Sequence, residues 1–305
     1  MFKSSKTERL HRLFDTISAS PIRRRLIKGL SANAFGQVVN IAIQLTSVPI
    51  FLHFWGVDLY GKWLIVSSIP AYLSMSDIGF GSVAGNEMTM LTATADYQAA
   101  SKVFQSAWVF VTSVCSVIGL VAIALAFLLP LDSWFNLQSL LSHQVSLVIS
   151  LLAVYTLVSQ QGGLVDAAFR SDGRYAEGTA LVNVVRFMEM ALALIGVCLG
   201  GDLVTAASTL LLGRLLGTVW IWLMFRRASQ WLSLGYSKAR WESIQIMLRP
   251  AIAFMALPMS QALIFQGMTL TVGVVLGSVA VVVFTTSRTV TRIVIQFIHL
   301  VNSAV

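Results

Sequence analysis

The sequence predicts an all-α integral membrane protein, a multi-span helical bundle of about eight spans. Three observations predict it. Of 305 residues, 56% are hydrophobic and only 11% charged, against roughly 25% charged in an ordinary soluble domain. Mean hydropathy is +0.79. Apolar stretches of about 20 residues, the length that crosses a hydrocarbon core, recur along almost the whole chain. The loops between them are short, which favours antiparallel neighbours and excludes an enzyme with a large extramembrane catalytic domain.

Residues 1–29 form a basic segment ahead of the first span. Within it Leu10, Leu13, Phe14 and Ile17 follow i, i+3, i+4, i+7 spacing, as an amphipathic helix on a membrane surface would. No cleavable signal peptide is visible, because the apolar run starts only near residue 30. The spans are expected at 30–52, 63–90, 104–129, 145–169, 178–200, 203–225, 250–272 and 278–302. The second is long and interrupted by Gly79, Gly81 and Gly85, so it is expected to run beyond the membrane face. The first six make one lobe, 30–225. A basic linker, 226–249, leads to two further spans in 250–305.

Charge is distributed asymmetrically. Sixteen Lys and Arg lie before the first span or in the even-numbered loops, while the odd-numbered loops carry only Lys62. By the positive-inside rule the N-terminus is expected in the cytoplasm. The net charge of +8 then reports topology and anionic phospholipid headgroups, and nucleic acid is not an expected partner.

Inside the spans, polar residues fall on stripes. At about 100° per residue, Asn33, Gln37, Asn40, Gln44 and Ser47 share an arc of about 80° in the first span. In the eighth, Arg292, Gln296 and His299 lie within about 80° of Arg288, with Val290 and Val294 on the opposite side. A charged side chain at mid-membrane costs roughly 2.5–3.5 kcal/mol, and no acid on that helix can neutralise the two arginines. They therefore need a partner, water or a ligand. Gln261 belongs to a weaker stripe in the seventh span, and Asp77 to one in the second; Asp77 and Glu87 are the candidates for ion coupling.

Other polar and small residues read as structural. Arg186 and Glu189, three apart, are expected to form an intrahelical ion pair. Gly213 and Gly217 have the small-xxx-small spacing of a close helix contact, with Arg214 beside it. Asp166, near Arg170, is expected to be solvated. Cys115 and Cys198 fall in apolar segments and read as packing residues, with no disulfide framework, metal site or cofactor expected.

The seventh and eighth spans look like a faint restart of the first and second, each pair following a basic segment and turning through a short Gly-containing loop, "WGVDLYG" and "LGS". Internal repeats of this kind are common in secondary transporters. The second half ends after two helices, so the chain is expected to be part of a longer protein. The stretch "LYGKWLIVSSIPAYLSMSDIGFGSVAGNEM", together with "FRSDGRYAEGTALVNVVRF" and Arg288, resembles the polysaccharide transporter family, the lipid-linked oligosaccharide (O-antigen) flippases of the multidrug/oligosaccharidyl-lipid/polysaccharide exporter superfamily.

The resemblance implies a bacterial inner-membrane transporter with two lobes around a central cavity, not an enzyme. It implies a lipid-diphosphate oligosaccharide as substrate, and polysaccharide polymerase and chain-length machinery as partners. Arg288 and Arg292 suit the diphosphate by bidentate hydrogen bonds, and Asn33, Gln37, Asn40, Gln44, Gln261, Gln296 and His299 suit the rest of an oligosaccharide head. Three alternatives stand beside it: a multidrug cation antiporter of the same superfamily, a membrane-embedded glycosyltransferase using Asp132 and His143, and a non-transporting assembly protein.

Overall fold

The computed structural model describes residues 21–73, 79–135, 137, 140–228, 231–232 and 235–304, and the side chains of all these except 21–26, 228, 257–258 and 297–304. The described residues form helices, turns and short connections, with no strand among them. The expected amphipathic segment at 10–17 lies outside them.

The first helix, α1, runs Pro21–Ala71 and is folded back at Gly56, whose φ of 70° and ψ of 177° are open to glycine and strained for any other residue. Twelve residues along a straight helix separate Phe51 from Trp63 by about 18 Å. Their rings are 6.1 Å apart, and Phe51 also stacks on Tyr60 at 5.3 Å. Aromatic packing thus closes the bend that Gly56 permits, and the two limbs of α1 are expected span one and the first part of expected span two.

The predicted second span, 63–90, is not continuous. α1 ends at Ala71, and a separate helix, α2 (Phe80–Ala93), begins after Gly79 in the left-handed conformation, φ 65°. A Cβ on Gly79 would lie 2.7 Å from Phe254 Cβ, so the break is also a contact point between the two halves of the chain.

The remaining helices follow in order: α3 (Tyr97–Leu128), α4 (Leu131–Trp134), α5 (Ser142–Ser171), α6 (Tyr175–Cys198), α7 (Leu203–Ala228), α8 (Trp241–Leu276) and α9 (Ser278–Ala304). Asp96 caps α3 through the Ala99 N–H, and Asp202 accepts from the N–H and hydroxyl of Thr205 at the start of α7. Among the described residues seven stretches are long and apolar enough to cross a membrane, with the folded Ile27–Ala71 counted as one.

The second pair of limbs repeats the first. Gly277, between α8 and α9, has φ 85° and ψ 177°, close to the conformation of Gly56. The two glycine turns meet: the Ser278 hydroxyl donates to Asp58 Oδ1 at 2.7 Å, and Lys62 pairs with the other oxygen of that carboxylate. A Cβ on Gly61 would stand 2.3 Å from the Ser278 carbonyl oxygen, so only glycine allows this approach.

Two apolar cores divide the bundle along its length. One, at the glycine-turn end, joins Phe51, Trp63, Ile65, Val148, Leu194, Ala207 and Val281. The other, at the linker end, joins Phe80, Phe104, Phe169, Phe225, Ile244 and Met247. Between them lies a polar layer. On α5, α6 and α7, Tyr155, Glu189 and Arg214 each fall between a residue of the first core (Leu152, Ala193, Leu210) and one of the second (Leu164, Val185, Ile221).

Gly213 and Gly217 bring α7 onto α6 as their spacing predicts: an added Cβ would lie 2.7 Å from the Glu189 Cα and 2.2 Å from a Val185 methyl. Cys115 is buried in the linker-end core, as a packing residue should be, but Cys198 is exposed at the end of α6. Neither forms a disulfide among the described residues.

Candidate functional site

The polar layer holds three groups of side chains. The first is a buried cluster, in which Glu189 Oε2 and Arg214 Nε have no hydrogen-bond partner among the described residues. Arg214 donates to Glu189 Oε1 at 2.7 Å, Tyr155 donates to the same oxygen at 2.9 Å, and the guanidinium lies 5.2 Å from the Tyr155 ring centre. Glu189 is 2% exposed. The expected Arg186–Glu189 pair is not formed. Three residues on a helix are about 60° apart around its axis, and here that turns Glu189 towards α5 and α7 while Arg186 points elsewhere.

Arg186 belongs to the second group, the seam between α1 and α6. It donates to Asn40 Oδ1 at 3.0 Å, and one end of the seam is closed by Tyr175, which donates to Asn33 Oδ1 at 3.0 Å. Gly36 lets Asn183 approach, since a Cβ there would meet its amide nitrogen at 2.6 Å. Part of the α1 stripe therefore binds α6 rather than lining open space. Gln37 and Gln44, half-buried on the same face, have amide oxygens without a hydrogen-bond partner among the described residues. Arg186 itself is exposed.

The third group lies between α8 and α9. Arg288, ten residues or about 15 Å along α9 from Ser278, donates to the Phe265 carbonyl at 2.9 Å, an oxygen that also accepts the Thr269 hydroxyl. Its guanidinium stands 5.3 Å from the Phe284 ring centre and 5.5 Å from that of Phe265. Arg292 lies over Phe265 at 4.6 Å. Two guanidiniums therefore share one aromatic ring.

The magnitudes separate the two arginines. A cation–π contact contributes about 0.5–1 kcal/mol when exposed and about 2 when desolvated, against the roughly 2.5–3.5 kcal/mol cost of a mid-membrane charge. Arg288, half-buried, has a carbonyl and two rings. Its contacts offset much of that cost. Arg292, exposed, has one ring and no hydrogen-bond partner among the described residues. Its guanidinium is the one left open to a ligand.

Of the other expected site residues, Gln261 is exposed one turn from Phe265, and Gln296 is half-buried with an amide oxygen that has no hydrogen-bond partner among the described residues. Both continue the α8–α9 group. Glu87 is half-buried on α2, a helix that packs on α3, α5 and α8. Asp77 and the side chain of His299 lie outside the described residues. Among the described residues no hydrogen bond or ion pair joins the α1 stripe to Arg288 or Arg292.

Away from the polar layer, Asp166 is partly buried and paired with Arg170 at 3.5 Å, not solvated as expected. Asp132 accepts the Ser142 hydroxyl at 2.7 Å, which holds its carboxyl below the usual carboxylate range. His143 packs edge-on to Phe127 instead of turning to Asp132.

Sequence reading missed three features of this site: Arg186 as a partner of Asn40, the Tyr155–Glu189–Arg214 cluster, and Phe265 as the shared aromatic platform. Arg186 and Arg214 were visible as charges inside spans. Phe265 carried no signal, because a lone phenylalanine in an apolar span reads as packing.

No protein-family model matches the sequence, and no curated protein matches it. Solved structures do. An inward-facing multidrug resistance MATE family transporter of the MOP superfamily superposes with a TM-score of 0.65 at 14% identity, over 91% of this chain and 64% of that one. An outward-facing MATE family transporter superposes with a TM-score of 0.65 at 16% identity, over 92% of this chain and 62% of that one. A MOP superfamily transporter from Pyrococcus furiosus Vc1, described as having a binding pocket of reverse polarity that suggests a different function, gives a TM-score of 0.65 at 16% identity, covering 92% and 62%. The likeness is one of fold, and this chain spans less than two thirds of the length of these transporters.

Proposed function

We propose that this chain belongs to a transporter that flips a lipid-diphosphate-linked oligosaccharide from the inner to the outer leaflet for polysaccharide assembly, by alternating access around an arginine-bearing cavity. One observation carries the reading. Three guanidiniums of the polar layer, Arg186, Arg288 and Arg292, have no carboxylate partner among the described residues, while the buried acid of that layer, Glu189, is already engaged by Arg214. A site of that composition favours a polyanion. Planar guanidiniums suit phosphoryl oxygens by paired, charge-assisted hydrogen bonds, and the amides of Asn33, Gln37, Asn40, Gln44, Gln261 and Gln296 suit sugar hydroxyls.

In this reading the linker end is cytoplasmic, supported by the basic residues Arg226, Arg227, Lys238, Arg240 and Arg249 there. The chain sits in a bacterial inner membrane, among anionic phospholipids, and works beside polysaccharide polymerase and chain-length machinery. The lipid tail stays in the bilayer while the head crosses.

A multidrug cation antiporter is the second reading, and the MATE transporters that share the fold favour it. It requires a carboxylate open to the cation, for which Glu87 is the candidate. Equilibrium binding in nanodiscs separates the two. The first reading expects saturable binding of a polyprenyl-diphosphate sugar and none of a lipophilic cationic dye. Binding of the dye, weakened by E87Q, supports the second and overturns the first.

A further inference from the structure

The segment between α7 and α8 is laid across α3 by two buried side chains. Gln105, 1% exposed, accepts the Lys238 backbone N–H at 2.8 Å, and Ser106, 0% exposed, accepts the Arg240 backbone N–H at 2.9 Å. Trp231 extends the attachment through a hydrogen bond to Asp172 and a ring contact with Tyr97 at 5.6 Å. Beside this fixed segment opens a cleft of about 340 Å³, walled by Trp108, Val109, Thr112 and Ser113 of α3 and by Gly235 and Tyr236. Its lining is largely apolar. It continues along a face of α3 that turns outward, since Thr112, Ser116 and Leu120 are all exposed and lie within about 80° of one another.

Among the described residues, charge lies at one end of this cleft. Lys238 and Arg240 are exposed and held beside Gln105 and Ser106, about one helical turn from Val109, and Lys102 is exposed one turn further on. Exposed Tyr236 and Trp241 flank them, as aromatic residues do at a membrane interface. A basic head, an aromatic collar and an apolar trough in that order match the sequence of groups along a membrane lipid.

We propose that this cleft holds one anionic phospholipid, its phosphate between Lys238 and Arg240 and an acyl chain along Val109, Thr112 and Ser116. The lipid covers the trough that the linker leaves open and ties the linker to the inner headgroups. The site does not depend on what the polar layer transports. It rests on the linker end being cytoplasmic, which cysteine labelling tests separately.

Gln105 and Ser106 hold the segment by its backbone N–H groups, so it stays attached when the two basic side chains are removed, although K238Q also gives up the 3.5 Å contact of Lys238 Nζ with the Ser101 hydroxyl. Native mass spectrometry of the whole chain, with phosphatidylglycerol and phosphatidylethanolamine added in equal amounts, reads the preference directly. Wild type is expected to retain phosphatidylglycerol selectively. K238Q/R240Q should lose about fivefold of that selectivity for each charge removed, and S113W, at an exposed position in the cleft wall, should retain less of both lipids. Unchanged selectivity in K238Q/R240Q, or undiminished lipid on S113W, overturns the site.

Discussion

Arg288 and Arg292 occupy neighbouring turns of one helix but different environments, and single substitutions should separate them. Arg288 is fixed by a carbonyl and two rings, so R288A is expected to loosen the contact between α8 and α9 and lower thermal stability. Arg292 has one ring face and open donors, so R292A should leave the melting temperature nearly unchanged and weaken binding of a lipid-diphosphate sugar by about tenfold or more, the effect of losing a charge-assisted pair. Unfolding curves in detergent and binding isotherms check both. Glu189 gives a third test. Removing one partner of a buried ion pair costs about 3–5 kcal/mol, whereas replacing both by apolar residues is often neutral. E189A should be strongly destabilising, and E189L/R214M should recover most of the loss.

Among the elements, glycine sets where helices approach closely. G217L must displace Val185, 2.2 Å from the position of the new Cβ, and is expected to destabilise the α6–α7 pair by about 1–3 kcal/mol, the usual cost of overpacking. G163A, with nothing within 4 Å of its added Cβ, should be neutral or slightly stabilising. The Gly56 and Gly277 turns carry the contact between the two halves at their shared end. If that contact opens during transport, D58C/S278C should form a cross-link that traps substrate binding on the linker side, reversed by reductant; a cross-linked protein that still exposes both sides overturns the gate.

The helices and polar stripes were legible because both depend on local periods: about 20 apolar residues for a span, about 100° per residue for a face. Partners were not, because they come from other helices. The sequence spacing of Arg186 and Glu189 pointed to a pair, yet Glu189 meets Arg214, 25 residues away, and Arg186 meets Asn40, 146 residues away. The break after Ala71 was half legible: its glycines were visible, but not that Gly79 would start a new helix against Phe254.

At the scale of the whole molecule, two apolar cores enclose a polar layer in which, among the described residues, the buried acid Glu189 is paired with Arg214 and the other charges are positive. Charge, not fold, divides the two proposed functions, since the likeness to solved transporters is one of fold alone. Orientation is checked first: S237C should be shielded from an impermeant thiol reagent outside intact cells, and ready labelling there reverses the assignment. The central measurement is then equilibrium binding, in nanodiscs, of a short-chain polyprenyl-diphosphate sugar and of the matching polyprenol without diphosphate, to wild type and to R186Q/R292Q. The account predicts that wild type prefers the diphosphate, that raising salt weakens this preference, and that the double variant loses it while keeping its melting temperature. Equal binding of the two lipids by wild type, or an undiminished preference in the well-folded double variant, contradicts it.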